Sequence, residues 1–159
     1  MSQTTESKAT VSKATVSKAT MGKIVVKLTL TNEYDAYLAE KGFIKPEEVR
    51  SCVVEDALVD TGAKRLCLPA DVIERLGLKQ TATIDANTAV GIQTLRMFKG
   101  LQLNIEGREG RYDCVELPVG QTPLLGLIPL EDLGLDPDLQ NQKLKHLPMH
   151  GKDTYLTVL

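Results

Sequence analysis

The sequence predicts a mainly-β domain with one or two short helices. Three observations carry that expectation. Ile24, Val26, Leu28 and Leu30 alternate with Lys and Thr partners, the period of a half-buried strand. Short apolar runs recur down the chain, each bounded by Gly, Pro, Asn or Asp. Few stretches carry helix start and stop signals, and those are short.

Residues 1–20 stand apart. Ser-Lys-Ala-Thr occurs at 7–10, 12–15 and 17–20, a five-residue period that suits neither helix nor strand. With almost no apolar mass, the segment is expected to be a disordered repetitive tail. It is basic, with Lys8, Lys13 and Lys18 against Glu6. It reads as a non-functional extension with Met21 as the true start, or as a basic interaction arm. The domain proper is expected over 21–159.

Within it, the strand of Lys23 to Thr31 comes first. Asn32 can cap a short helix running to about Lys41, which Gly42 can end. Pro46 begins a turn or a short acidic piece, and Val49 to Val59 gives a second long strand. Arg65 to Leu68 reads as strand. Pro69 stands where a helix can start, Asp71 to Leu76 supplies it, and Gly77 stops it. Gln80 to Asp85 and Gly91 to Met97 are the expected arms of a hairpin turning at Ala86-Asn87-Thr88-Ala89. Leu101 to Ile105 and Tyr112 to Leu117 flank a second turn, Glu106-Gly107-Arg108-Glu109-Gly110. Leu124-Leu125-Gly126 follows Pro123, a short helix is expected near Pro129 to Leu133, and late strands at Lys143 to Leu147 and Thr154 to Leu159.

Composition narrows the function classes. A chain of 159 residues fits one domain. Aromatics are 4% and Trp is absent, so Leu, Val and Ile must build the core. A net charge of -2 gives no electrostatic case for nucleic acid. No apolar run approaches the roughly 20 residues that span a bilayer, and the polar N-terminus is unlike a secretory signal. Cys52, Cys67 and Cys114 match neither a zinc pattern nor a disulfide framework, so they are expected to be reduced apolar fillers in a cytoplasmic protein. His146 and His150 are four apart, but Pro148 lies between them and no acidic third ligand stands at helical spacing, so no metal is expected. Glu55-Asp56 reads as a solvated strand edge, and Lys64-Arg65 as solvated charge or as a contact to substrate or the partner subunit.

The residues that carry chemistry are Asp60-Thr61-Gly62-Ala63, directly after the apolar Ala57-Leu58-Val59. A carboxylate at the end of an apolar strand must be paired, hydrogen-bonded or reactive. The plainer reading is a structural aspartate capping its own turn. The motif occurs once.

These residues resemble the retroviral-type, or retropepsin-like, aspartic protease family in its cellular or bacterial single-domain form. Leu58-Val59-Asp60-Thr61-Gly62-Ala63 is similar to the family's Asp-Thr-Gly-Ala motif, and Leu124-Leu125-Gly126 to its late hydrophobic-hydrophobic-Gly triplet. Leu68-Pro69 with the helix ending Leu76-Gly77-Leu78 is similar to non-viral members. The likeness covers roughly 22–147. It departs at Lys64-Arg65, where retroviral enzymes have a small or acidic residue, in the longer segment 32–48, and in the absence of glycine from 86–89.

The resemblance implies a closed acid-protease-like β-barrel, one lobe per chain, acting as an aspartic endopeptidase on a peptide or protein substrate, with apolar side chains flanking the scissile bond. Such hydrolysis needs two carboxylates sharing a proton across a water. With one motif per chain, a two-fold homodimer supplies Asp60 twice. Thr61 would hydrogen-bond across the axis, Gly62 would turn the backbone tightly, and Ala63 would leave room for the peptide. Ala86, Asn87, Thr88 and Ala89 would form a flap over substrate, while Leu124-Leu125-Gly126 is expected to be scaffold, its glycine letting the chain cross under the catalytic loop. Terminal strands would meet at the dimer interface. No metal or organic cofactor, nucleic acid or membrane is implied. The alternative reading is a catalytically inactive, protease-like dimeric binding or assembly module. A third is a domain completed by a partner subunit's aspartate.

Overall fold

Alternation of apolar and polar residues builds the structure from its first strand. In the computed structural model, residues 23–148 are described. The expected tail over 1–20, the start at Met21, His150 and the strand over Thr154 to Leu159 therefore lie outside the described residues. Strand β1 (Val25–Asn32) buries every second side chain. Its last residue, Asn32, also caps helix α1 (Glu33–Glu40), accepting the Asp35 N–H at 3.0 Å through Oδ1. The chain continues through a 3₁₀ turn at Pro46–Glu48 into β2 (Ser51–Val59), β3 (Leu66–Pro69) and α2 (Ala70–Leu76). Gly77 ends α2 in the left-handed region at φ 65°, as its place after the helix predicts. Then come β4 (Lys79–Thr88), β5 (Gly91–Ile105), β6 (Arg108–Leu117), β7 (Leu124–Leu125), α3 (Leu127–Asp132), β8 (Leu135–Asp138) and β9 (Lys143–His146).

Strand makes up 52% of the described residues, so the mainly-β expectation holds. Seven strands form one sheet in the order β1-β2-β7-β3-β6-β5-β4, and β1 pairs with β5 as well. The extra pairing sets Thr29 opposite Asn104 and Asn32 opposite Leu101. β8 and β9 form a separate pair. The core is built from buried residues of β1, β2, β3, β5, β6 and β7 together with α2 and α3. Leu28, Leu30, Leu66, Leu68, Leu76, Leu101, Leu103 and Leu125 are inaccessible to solvent, and each removes a full aliphatic side chain from water. Phe98 is the aromatic of this core, whereas Tyr34, Tyr37 and Phe43 are exposed.

A polar corner locks the entry to β2. Asn32 Nδ2 donates to the Leu76 carbonyl at 2.7 Å, tying α1 to the end of α2. The Arg50 guanidinium donates to both Asp35 carboxylate oxygens, at 2.7 and 3.0 Å, and the Arg50 backbone N–H donates to Asp35 at 3.0 Å. That guanidinium holds the buried Asp35 carboxyl below the usual carboxylate range.

Both hairpin turns differ from the expected positions. The first turn is Ala89-Val90; Ala86, Asn87 and Thr88 belong to β4. Ala89 and Val90 carry no turn signal of their own, and the positive φ of 109° falls on Gly91. The second turn is the two residues Glu106-Gly107, at φ 51° and 88°, and Arg108 already belongs to β6. Two successive residues at positive φ match the right-handed twist of a two-residue hairpin. β8 was not expected, because Pro137 hid it; as half of a two-stranded pair it tolerates the missing donor.

Candidate active site

Asp60 stands at the end of β2, half-buried, where the chain leaves the sheet. Its Oδ1 accepts the Gly62 N–H at 2.9 Å, and its carbonyl accepts the Ala63 N–H at 3.1 Å. A Cβ at Gly62 would lie 3.1 Å from Asp60 Oδ1, tighter than most real contacts. Thr61 is exposed and Ala63 half-buried.

The turn is held by a distant part of the chain. β7 lies between β2, with which it runs parallel, and β3, with which it runs antiparallel. Leu58 N–H donates to the Pro123 carbonyl at 2.9 Å and Asp60 N–H to the Leu125 carbonyl at 3.0 Å. On the other side, Leu127 N–H donates to the Ala63 carbonyl and Ile128 N–H to the Lys64 carbonyl, both at 2.8 Å. Gly126 sits in the crossing. A Cβ there would lie 2.3 Å from the Arg65 carbonyl oxygen and 2.8 Å from that of Ala63. Only glycine fits, as expected of a chain passing beneath this loop.

Beside Asp60 runs a row of apolar residues that sequence reasoning missed. Leu58 pairs with Leu124, Leu124 with Cys67, Cys67 with Val115, and Val115 with Met97. Directly paired residues share a face, and this is not the face of Leu66, Leu68 and Leu125. Val115 and Met97 are buried without joining the main core cluster, while Leu58, Leu124 and Cys67 are half-buried. Two residues beyond Leu58 on the alternating strand, Asp60 falls on this same side. The triplet is therefore divided: Leu125 and Gly126 are scaffold, as expected, and Leu124 belongs to the floor beside the aspartate. The signal was cross-strand pairing between separate segments of the chain, which periodicity within one segment does not carry.

Cys67 departs from the expected set of core fillers. Cys52 and Cys114 are buried in the core, but Cys67 lies in this floor; all three are free thiols. Burial, and then the Asp60 carboxylate, push the Cys67 thiol up to about 12, and burial pushes Cys114 to about 12. Both stay protonated near neutral pH, which does not suit a nucleophile.

The hairpin of β4 and β5 carries the other expected site residues. Ala86 and Thr88 share a half-buried face with Ile84, whereas Asn87 and Ala89 are exposed. At the tip, Val90 N–H donates to Thr88 Oγ1 at 3.3 Å, and that hydroxyl donates to the Gly91 carbonyl at 2.7 Å. Val90 and Ile92 are 78% and 73% exposed, bare apolar side chains on a projecting turn. At the base, the Arg96 guanidinium makes a bidentate pair with Glu116, both bonds at 2.7 Å, and lies over the Phe98 ring. Tip and Asp60 turn are thus held separately, each by its own bonds.

Other candidates find structural partners. His146 Nε2 lies 2.6 Å from Glu106 Oε1. Among the described residues no group of three or more His, Cys, Asp or Glu is placed to hold a metal ion, and no helix is long and apolar enough to cross a membrane. Arg108, expected in a turn, instead donates from Nη1 to the Leu133 and Gly134 carbonyls and from Nη2 to the Leu147 carbonyl, capping the end of α3.

One aspartate at a strand end, a glycine turn that bonds it, and a late strand clasped between its flanks define an Asp-Thr-Gly domain of acid-protease type. Residues 54–132 match the family model described as "gag-polyprotein putative aspartyl protease". The match takes in both the Asp-Thr-Gly turn and the Leu-Leu-Gly triplet, and it places this stretch in the retropepsin-like aspartic protease family. No protein of curated function matches the chain.

Proposed function

We propose that the protein is an aspartic endopeptidase working as a homodimer, with Asp60 of each subunit forming the catalytic pair. The observation that carries this reading is the clasp on Asp60. A carboxylate whose turn is bonded to residues 123–128 is held in a fixed place, as a reacting group must be. One carboxylate of the pair, deprotonated, takes a proton from the bound water; the other, protonated, donates to the scissile carbonyl. Gly62 N–H orients the carboxylate from within the subunit. Thr61 is exposed and makes no side-chain hydrogen bond among the described residues, which suits a hydroxyl that bonds across a two-fold axis. Ala63 gives the peptide room.

The β1–β5 pairing joins the first strand to the sheet's far side, which favours the closed acid-protease barrel as the scaffold. The substrate is an extended peptide whose apolar side chains lie on Leu58, Leu124 and Cys67, covered by the hairpin with Ala86, Asn87, Thr88 and Ala89 near its tip. The site in one chain is an open floor, and a second subunit is the natural cover. The protein acts in the cytoplasm on this reading.

Cleavage of a mixed peptide library by wild type and by Asp60→Asn, with sedimentation of both, tests it. The expected result is a dimer in each case and cleavage only by wild type, blocked by a statine-type transition-state mimic. A stable dimer that cuts nothing at acidic to neutral pH supports the binding-module reading instead. A chain that stays monomeric points to a partner subunit.

A further inference from the structure

We infer that Arg65 and Lys99 form a subsite for an acidic side chain of the bound peptide, one step along the sheet from the apolar floor beside Asp60. This rests on the protease reading and names a feature of its substrate.

Register carries the argument. Cys67, Val115 and Met97 are mutually paired on β3, β6 and β5. Arg65, just before β3, Asp113 and Lys99 lie two residues further along the same three segments, where a bulge in β5 sets Lys99 and Gly100 together opposite Asp113. The directions agree, since β3 and β6 are parallel and β5 runs against β6. Two residues of extended chain span about 7 Å, which is also the spacing of alternate side chains on an extended peptide. A peptide lying along these strands with one apolar side chain on the Cys67 row therefore brings a second over the Arg65 row.

That second row is a cleft of about 430 Å³, with Arg65, Lys99, Arg111 and Asp113 in its lining and Tyr34 and Tyr112 as aromatic walls. Tyr34 is seated by Gly100, where a Cβ would come within 3.1 Å of the ring at φ +89°. The charges in the cleft are unevenly committed. Arg111 is engaged by Glu33 at 3.1 Å and Glu109 at 3.6 Å. Arg65 and Lys99 form no ion pair and no side-chain hydrogen bond among the described residues. Against these two cations stands one uncommitted carboxylate, Asp113, which makes no ion pair with either. Within the lining itself three cations, Arg65, Lys99 and Arg111, face two carboxylates, Glu33 and Asp113, while Glu109 reaches Arg111 from outside it, so the local excess of positive charge lies at Arg65 and Lys99. Desolvation is modest because Arg65 is exposed and Lys99 half-buried, so the gain is selectivity between side chains rather than large affinity.

The test uses the full chain and capped peptides drawn from a cleaved library sequence, differing only as Glu or Gln at each position around the scissile bond. Wild type is expected to prefer Glu over Gln at one position by about fivefold in kcat/KM, the size of a partly exposed ion pair, and less so at high salt. In Arg65→Gln/Lys99→Gln the ratio falls to about one, and Arg65→Glu/Lys99→Glu inverts it in favour of Gln. Circular dichroism confirms that these surface variants fold. Equal cleavage of Glu and Gln peptides by wild type, or a Glu preference that survives Arg65→Gln/Lys99→Gln, overturns the subsite. Binding of fluorescent Glu and Gln peptides to Asp60→Asn, read by anisotropy, separates the two claims. Absence of any Asp60-dependent cleavage overturns the protease reading, whereas a Glu peptide bound no tighter than its Gln twin overturns the subsite alone.

Discussion

The Asp60 turn and the hairpin of β4 and β5 are both strand–turn–strand features, yet they are held in opposite ways. The turn is bonded on both sides to residues 123–128, more than sixty positions later. Beyond the Arg96–Glu116 pair at its base, the hairpin is bonded to itself, through the β4–β5 ladder and Thr88, and its tip is bare. A group held from elsewhere keeps its place whatever its surroundings do. A feature held beyond its base only by its own ladder can move as a unit without disturbing the core. On the proposed function, the difference would supply a fixed floor and a movable cover, the division that closing over a substrate requires.

The comparison breaks most visibly at two glycines. Gly126→Ala sets a methyl group against the backbone oxygens of Arg65 and Ala63. We expect a loss of about 3 kcal/mol or more, because backbone cannot step aside as a side chain can. Gly91→Ala meets nothing within 4 Å, although its φ is +109°, and should cost about 1 kcal/mol from conformation alone. Denaturant titration of both variants checks the contrast. Equal costs would mean that the crossing under Asp60 is no tighter than the hairpin tip.

A second test asks whether the floor is also anchored where β2 begins. Asp35→Ala leaves the Arg50 guanidinium and backbone N–H without their carboxylate. The expected loss is about 2 kcal/mol, below that of a fully buried pair because Arg50 is half-exposed. The Asp35 carboxyl is held below its ordinary value in the folded chain. Its stabilisation is therefore complete above the unfolded value of about 3.9 and is lost as pH falls through the folded one. Between about pH 5 and 2, the melting temperature of wild type should fall more steeply than that of Asp35→Asn.

The hairpin's base and tip give the smallest effects on stability. Arg96→Gln removes the bidentate pair with Glu116, and hydrogen exchange over 79–97 should quicken while the melting temperature barely moves. Val90→Asp, at an exposed tip, should change stability by less than about 0.5 kcal/mol. On the proposed function it raises KM for apolar peptides. Unchanged kinetics would remove the tip from substrate binding.

Local features were legible in the sequence. Asn32 announced α1, and Gly42 and Gly77 announced two helix ends, because caps act within a few residues. Gly126 was legible as a crossing through the motif that contains it. Long-range features were hidden. No local pattern joins Asp35 to Arg50, Leu58 to Leu124, or Cys67 to Val115; those contacts exist only once the strands pair. The first hairpin turn was placed too early because Asn87 reads as a turn residue yet lies in β4, and the second was drawn too long because Gly110 reads as a turn residue yet lies in β6.

The central claim is that each site needs Asp60 from two chains. Wild type mixed with increasing Asp60→Asn, after subunit exchange at fixed total concentration, tests this most directly. If both aspartates are required, activity follows the square of the wild-type fraction. If activity instead falls in simple proportion to that fraction, one Asp60 suffices per site and the shared pair is wrong.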